Sequence, residues 1–202
     1  VLGNVLVVAM QNWDGAVCAD GYGTQADAVV FYDVRDPANP RYWGKITRDE
    51  FVAARQLYGG SVNQFNHSYK KFNWNVAWAD ATDPESFAKA VTPKTKAIFC
   101  ESIANPGGIV VDLPAIASIA KNAGVPFIVD NTMASPYLCR PKEHGADIVV
   151  HSLTKFLGGH GNSIGGVLVD CGTYDWLGAK HRYKTLVEPN ASYNGIKLAE
   201  TF

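Results

Sequence analysis

The feature that most constrains the fold of this chain is a helix with both ends marked, placed between two apolar strands. Residues 112–124, DLPAIASIAKNAG, begin with an acidic cap and an early proline, continue with apolar residues at helical spacing and end on glycine. The runs 97–101 and 125–130 on either side are short and nearly continuously apolar. Because this pattern is typical of parallel strands joined by a helical crossover, the sequence predicts an α/β fold, with a mainly parallel sheet and helices on both faces.

Three more runs predict strands, at residues 4–10, 28–34 and 147–151. Residues 36–44, DPANPRYWG, contain two prolines and predict a turn-rich stretch that separates the early strands from the rest of the chain, with a boundary near residue 45.

The stretch after this boundary has two interpretations. Residues 47–50, TRDE, form a capping-box pattern that favours a helix from about residue 48 to 58. The family resemblance described below implies instead that residues 51–55 form a strand. We expect the strand, because sheet context overrides weak local propensity.

Composition excludes several classes of protein. The 202 residues are 47% hydrophobic and 18% charged, which predicts an ordinary globular core and not a disordered chain. The net charge of -1 gives no reason to expect nucleic acid or a membrane as a partner, and the apolar runs are shorter than the roughly 20 residues that a membrane span needs. The four cysteines form no C-x-x-C pair and the five histidines no close-spaced set, so we expect buried free thiols, a cytoplasmic location and no metal site.

The most informative stretch is 151–166, HSLTKFLGGHGNSIGG, which directly follows a predicted strand. Ligands bind beyond the carboxyl ends of parallel strands, so Lys155 lies where a ligand is expected. A desolvated lysine amine is a nucleophile toward carbonyls, and the hydroxyls of Ser152 and Thr154 could hold a phosphate beside it. Five glycines between residues 158 and 166 permit close approach of the backbone. The alternative is a surface lysine in a flexible loop.

Asp130 provides a second signal, because it ends the predicted strand 125–130 and should share the sheet edge with Lys155. A pyridoxal phosphate site requires this pair: a lysine for the Schiff base, and an acid that keeps the pyridine nitrogen protonated. An aspartate at a strand end is also a common structural cap, and this alternative stays open.

Four ordered motifs resemble the pyridoxal-phosphate-dependent enzymes of cysteine and methionine metabolism, the trans-sulfuration family, and most closely its O-acetylhomoserine sulfhydrylases. The motifs are 55–61 (RQLYGGS), 101–108 (ESIANPGG), 129–132 (VDNT) and 152–155 (SLTK). The resemblance runs from about residue 52 to 202 and implies part of the large domain of a fold-type I enzyme that binds pyridoxal 5'-phosphate.

The resemblance implies catalytic roles for two residues. Lys155 would bond to the cofactor and, once released by substrate, move protons at the α and β carbons. Tyr58 would stack on the cofactor ring and assist proton transfer. Asp130 would pair with the pyridinium nitrogen.

The remaining implied contacts hold the cofactor. Asn105 would contact the ring hydroxyl, and Ser152 and Thr154 would hydrogen-bond the phosphate. The implied reaction expels acetate from the γ carbon of O-acetylhomoserine and adds sulfide or a thiol, giving homocysteine or methionine. The implied partners are therefore small molecules, together with further copies of the chain in a homo-oligomer.

The sequence departs from the family pattern at both ends. Residues 1–50 do not match it, and the glycine-containing phosphate segment expected upstream of Tyr58 is not recognisable. The smaller C-terminal domain would lie beyond residue 202, so residues 51–202 are expected to be a partial large domain. These departures favour a second hypothesis, an incomplete or noncatalytic fragment or a partner-binding module.

Two other motifs have weaker support. Ser152 and Lys155 also fit the S-x-x-K pattern of penicillin-binding proteins, but no Lys-Thr-Gly follows. Residues 21–26, GYGTQA, match a dinucleotide fingerprint, but an apolar strand pattern follows where that fold needs a helix, so we expect a turn.

Overall fold

The structure is a computed structural model and describes residues 5–10, 28–33, 41–47 and 49–201. These residues contain two β-sheets. The first sheet is antiparallel, in the order β1-β2-β3. Its strands are β1 (Val5–Met10), β2 (Ala28–Asp33) and β3 (Arg41–Thr47). The dinucleotide-like stretch 21–26 lies outside the described residues.

The second sheet has six strands in the order β5-β4-β6-β7-β8-β9. The first five are parallel to one another, and β9 is antiparallel to β8. The strands are β4 (Asp49–Ala54), β5 (Trp74–Ala79), β6 (Thr95–Glu101), β7 (Phe127–Asp130), β8 (Ile148–Ser152) and β9 (Gly166–Asp170). The mainly parallel α/β fold that the sequence predicts is therefore confirmed.

Helical segments connect these strands. Three helical segments follow one another between β4 and β5, from residue 59 to 71. They are α1 (Gly59–Asn63), a π-helical turn (Gln64–Ser68) and α2 (Tyr69–Lys71). The others are α3 (Pro84–Ala90), α4 (Leu113–Ala123), α5 (Ser135–Leu138), α6 (Lys184–Val187) and α7 (Leu198–Thr201), with 3-10 turns at Pro141–His144 and Ala191–Tyr193.

The direction of the chain across the sheet reverses between β5 and β6, and this reversal places helices on both faces. Right-handed crossovers put the segment 59–71 on one face and α3 and α4 on the other. On the first face the Phe65 ring packs against Phe51 and Phe99, with ring centroids 4.8 and 5.3 Å apart. α3 and α4 contact each other and the sheet, and bury Phe87 and Ile116 completely.

The helix predicted within residues 112–124 is α4, and it begins and ends where the sequence predicts. Asp112 is the N-cap of α4, and its Oδ1 accepts a hydrogen bond from the backbone N–H of Ala115 at 3.1 Å. Gly124 ends the helix in the left-handed region, at φ 63°, which glycine adopts without steric cost.

The strand interpretation of the stretch after residue 47 is confirmed, and the helix from 48 to 58 is wrong. Residues 51–54 are all buried in β4, which lies between β5 and β6. Pairing on both sides outweighs the local capping signal.

Part of the predicted turn 36–44 is also wrong, because Arg41 to Gly44 belong to β3 and pair with β2. Long-range pairing with β2 provides hydrogen-bond partners that local turn propensity does not reveal. β5 and β9 were not predicted as strands.

Candidate active site

A cleft opens at the carboxyl edge of the second sheet, between the neighbouring strands β4 and β6, whose following connections lie on opposite faces of the sheet. Such topological switch points are where parallel sheets bind ligands. The cavity measures about 500 Å³, within the range of small-molecule sites. Its lining includes every site residue predicted from the sequence: Tyr58, Asn105, Asp130, Ser152, Thr154 and Lys155.

Asp130 reaches this cleft because it is the last residue of β7, in register with Glu101 of β6 and Val150 of β8. Its Oδ1 accepts hydrogen bonds from the backbone N–H and the hydroxyl of Thr132, at 2.9 and 2.5 Å. No described residue hydrogen-bonds its Oδ2, so this oxygen is available to accept a proton donor from a ligand.

Thr132 links the ends of two strands. Its hydroxyl donates to Asp130 and accepts a hydrogen bond from the backbone N–H of Ser152 at 2.8 Å. One side chain therefore bridges the ends of β7 and β8, next to the backbone bond from the Asn131 N–H to the Val150 carbonyl. Sequence reasoning did not single Thr132 out, although a hydroxyl two residues after a strand-terminal aspartate is a recognisable turn signal.

Lys155 lies in a tight turn directly after β8. Its backbone N–H donates to the Ser152 carbonyl at 3.2 Å, and its carbonyl accepts from the Gly159 N–H at 2.9 Å. A Cβ on Gly158 would collide with the backbone carbonyl of Leu153, so the turn needs glycine there. The Lys155 side chain is exposed, and within residues 49–201 its ammonium forms no ion pair.

The two hydroxyls beside Lys155 differ in their contacts. Thr154 Oγ1 donates to the Gly165 carbonyl at 3.2 Å and accepts from the Gly165 N–H at 3.1 Å, which closes the glycine loop. The Ser152 hydroxyl has no hydrogen-bond partner among the described residues. The Ser152 hydroxyl can therefore donate a hydrogen bond to a phosphate directly. The Thr154 hydroxyl would first have to break its hydrogen bond to the Gly165 carbonyl.

Tyr58 precedes α1, and its side chain is 53% exposed. Its ring lies close to Gly60, where a Cβ would come within 2.6 Å of the Tyr58 Cε1 atom. Glycine at this position makes room for the ring.

Glu101 supports both loops that flank the cleft. Its Oε1 accepts from the Tyr58 backbone N–H at 2.6 Å, and its Oε2 accepts from the Asn105 backbone N–H at 2.9 Å. Burial raises the pKa of this carboxyl; the two hydrogen bonds lower it, the charge of Asp130 raises it further, and the net shift is upward. Glu101 was not predicted as a site residue, although a carboxylate that ends an apolar strand is an available signal.

The side chains in the cleft fit one kind of ligand. The amine of Lys155 matches an aldehyde, and the free Asp130 oxygen matches a protonated ring nitrogen. The aromatic ring in the cleft matches a planar ring, the amide matches a ring hydroxyl, and the hydroxyl matches a phosphate. Residues in the described ranges include no group of three or more His, Cys, Asp or Glu side chains that could hold a metal ion.

The fold and the cleft define the class: an α/β protein with a lysine and an aspartate at the carboxyl ends of neighbouring parallel strands, as pyridoxal phosphate sites require. The chain belongs to the family of Cys/Met metabolism PLP-dependent enzymes, whose family model matches residues 46–197.

Individual relatives agree with this membership. The chain is 48% identical over 153 residues to O-acetyl-L-homoserine sulfhydrylase of Leptospira meyeri, covering 76% of this chain and 34% of the relative. It is 44% identical over 156 residues to the protein of the same name from Corynebacterium glutamicum, covering 75% and 36%. The chain thus spans about a third of the length of these curated relatives.

A solved structure shares the fold. It comes from Campylobacter jejuni, is described as an O-acetylhomoserine (thiol)-lyase and carries N'-pyridoxyl-lysine-5'-monophosphate. It aligns at a TM-score of 0.70 and 37% identity, over 75% of this chain and 38% of its own.

These findings confirm the family resemblance and pyridoxal phosphate as the family's cofactor. The individual residue roles, the domain division and the homo-oligomer stay predictions. No helix in the described part of the chain has the length and apolarity to cross a membrane.

Proposed function

We propose that this chain carries the cofactor-binding core of a γ-replacement enzyme, which exchanges the acetate of O-acetylhomoserine for sulfide or a thiol. The observation that supports this most directly is the common cleft of Lys155, Tyr58 and Asp130, in which the Asp130 Oδ2 has no partner among the described residues. The substrate class rests on the names of the relatives.

Pyridoxal phosphate, when bound, supplies an electron sink for negative charge at the substrate α carbon. In our proposal Lys155 holds the cofactor and then moves protons at the α and β carbons. The Asp130 Oδ2 accepts a hydrogen bond from the protonated ring nitrogen, and its negative charge keeps that proton in place. Tyr58 covers the ring and assists proton transfer.

The other predicted residues orient the cofactor. Asn105 places its amide at the ring hydroxyl, and Ser152 and Thr154 hydrogen-bond the phosphate. Acetate leaves the γ carbon with the electron pair of the broken C–O bond. Hydrosulfide or a thiolate then forms a C–S bond at that carbon, so that hydrosulfide gives homocysteine and methanethiolate gives methionine.

The second hypothesis, a noncatalytic fragment or partner-binding module, is not favoured, because the relatives are named for enzymatic activity. A cytoplasmic location is part of the proposal, supported by the free thiols of Cys100, Cys139 and Cys171.

Trapping of the cofactor on Lys155 tests the proposal. After incubation with pyridoxal phosphate, the protein should show a visible absorption band, and borohydride reduction should leave a pyridoxyl group on Lys155 in a peptide map. Lys155→Ala should abolish both signals, whereas Lys121→Ala, at an exposed position on α4, should retain them. Absence of the band, or equal labelling in Lys155→Ala, would refute the cofactor site.

The reaction itself is tested by acetate release. Protein loaded with the cofactor should release acetate from O-acetylhomoserine in the presence of sulfide, with formation of homocysteine. A protein that shows the band but releases no acetate would support the noncatalytic hypothesis instead.

A further inference from the structure

The carboxylate of Glu101 connects two loops that are distant in sequence. It ends β6, is 5% exposed and accepts one backbone N–H on each oxygen. Tyr58 is 43 residues away in the chain and Asn105 is 4 residues away. One side chain therefore holds the backbone of both residues that flank the cleft.

We propose that Glu101 is a positioning residue, which fixes the Tyr58 ring and the Asn105 amide relative to each other at the ligand site. This inference deepens the proposed function and rests on it for the identity of the ligand. The connection between the loops is a property of the chain without its cofactor and can be measured separately.

The polar contacts of the two residues support this role. No described residue hydrogen-bonds the Tyr58 hydroxyl or the Asn105 side-chain amide. Among the described residues, Glu101 is the only side chain that hydrogen-bonds either residue; the Tyr58 carbonyl also accepts from the Val62 N–H at 3.1 Å. A shift of either backbone would move the attached side chain within the cleft.

The chemistry of the position requires a glutamate. Glutamine keeps one acceptor oxygen, but its amide group is a donor and would face a backbone N–H that is also a donor. Aspartate keeps both oxygens on a side chain one methylene shorter, which cannot reach both loops from the same Cα position.

The energetics also argue against a purely stabilising role. Burial raises the pKa of the Glu101 carboxyl, and the charge of neighbouring Asp130 adds to the shift. An acid whose pKa is raised by folding destabilises the folded protein once it is ionised. Apolar side chains fill buried positions at lower cost, so the two backbone bonds are the property that only the carboxylate provides.

Amide hydrogen exchange without cofactor tests the connection. Glu101→Gln should accelerate exchange at the N–H of Tyr58 or Asn105 by at least about tenfold, the factor equivalent to about 1.4 kcal/mol. The matched control is Asp112→Asn, which alters another carboxylate that accepts a backbone N–H, at the start of α4. Asparagine keeps an acceptor oxygen for the single N–H of Ala115, so the control should leave exchange at Ala115, Tyr58 and Asn105 nearly unchanged.

Circular dichroism of the bound cofactor tests the positioning. Glu101→Gln should weaken the visible signal per bound cofactor and raise the cofactor dissociation constant by about tenfold or more, while borohydride still labels Lys155. Glu101→Asp should restore protection at no more than one of the two amides and should not restore the signal.

Distinct results separate the two proposals. Unchanged exchange at both amides in Glu101→Gln, or full protection of both in Glu101→Asp, would overturn the role of Glu101. If Glu101→Gln does not fold, the Glu101→Asp measurements decide. A wild-type protein that forms no visible band would refute the proposed function, while the exchange data would still establish or refute the connection between the loops.

Discussion

Two neighbouring side chains on β6 lie in different parts of the molecule. Cys100 has no exposed surface and lies in the core with Ile98, whereas Glu101 reaches the cleft. This division follows from the strand itself, because successive side chains point to opposite faces of a sheet. The thiol of Cys100 is thus within one residue of the ligand site and yet shielded from it.

The reactivity of Cys100 provides a test of this division. Burial raises the pKa of its thiol, so it should stay protonated at pH values of about 9, where an exposed thiol is largely ionised. We expect iodoacetamide to modify Cys100 at least about a thousandfold more slowly in the folded than in the unfolded protein. Peptide mapping should find faster modification at Cys139, which is only partly buried. Equal rates at the two cysteines in the folded protein would contradict the prediction.

Asp130 is expected to act through its charge more than through its shape. Asp130→Asn keeps an oxygen that can accept the bonds from Thr132 but loses the negative charge proposed to hold a proton on the ring nitrogen. We expect α-proton exchange of a bound amino acid to slow by about 100-fold or more, while the cofactor dissociation constant changes less than about tenfold. NMR in D2O measures the exchange and absorbance titration the affinity. Exchange at the wild-type rate would rule out this role.

At the scale of elements, the loop between β8 and β9 determines where the proposed cofactor lysine lies. Its ends are paired by the antiparallel register of Ser152 with Gly166, and Thr154 bonds to Gly165 within it. The turn that carries Lys155 closes through the Gly158 N–H, which donates to the Leu153 carbonyl at 2.8 Å. This close contact leaves no space for a side chain.

Gly158→Ala should therefore displace the lysine turn. The added Cβ would collide with the Leu153 carbonyl, and overpacking of this kind costs about 1–3 kcal/mol. We expect weaker cofactor binding and slower labelling of Lys155 after borohydride reduction. Gly166→Ala is the control, because its Cβ would lie at an ordinary contact distance of 3.7 Å from the His151 carbonyl. Similar cofactor affinities in the two variants would show that the turn tolerates the methyl group.

Elements with strong local signals could be predicted from the sequence, and those that depend on distant pairing could not. α4 has its cap, its apolar spacing and its terminal glycine within 13 residues, from Asp112 to Gly124. β9 is largely exposed, and its strand conformation depends on pairing with β8. The site follows the same rule: Lys155 and Asp130 were recognisable by residue type, but the bonds of Glu101 to Tyr58 and Asn105 depend on how separate strand ends align.

At the scale of the whole molecule, the C-terminal segment returns to the amino edge of the second sheet, opposite the cleft. Arg182 Nη1 donates to the Thr95 carbonyl and the Tyr183 hydroxyl donates to the Lys96 carbonyl, both at 2.6 Å. The Tyr183 ring also packs edge-on against Trp176, with centroids 5.2 Å apart. These contacts link residues near the end of the chain to the start of β6, so they should affect stability and not the ligand site.

We expect Tyr183→Phe to lower the stability of the fold without changing the affinity for the cofactor. It removes the hydrogen bond to Lys96 and keeps the ring, so the free energy of unfolding should fall by about 0.5–1.5 kcal/mol. Tyr137→Phe is the control, because Tyr137 is 92% exposed. Denaturant titrations measure the difference, and both variants should bind the cofactor as the wild type does. A change in cofactor affinity in Tyr183→Phe would mean that the two edges of the sheet are coupled.

The same hydroxyl should make stability depend on pH in the alkaline range. Burial raises the pKa of Tyr183, so the folded protein keeps this proton while the unfolded chain loses it near pH 10. Because the unfolded state then binds fewer protons, the free energy of unfolding decreases as the pH rises above about 10. This decrease should be steeper in the wild type than in Tyr183→Phe, which has no hydroxyl to titrate. Parallel pH profiles of the two proteins would show that Tyr183 ionises equally in the folded and unfolded states.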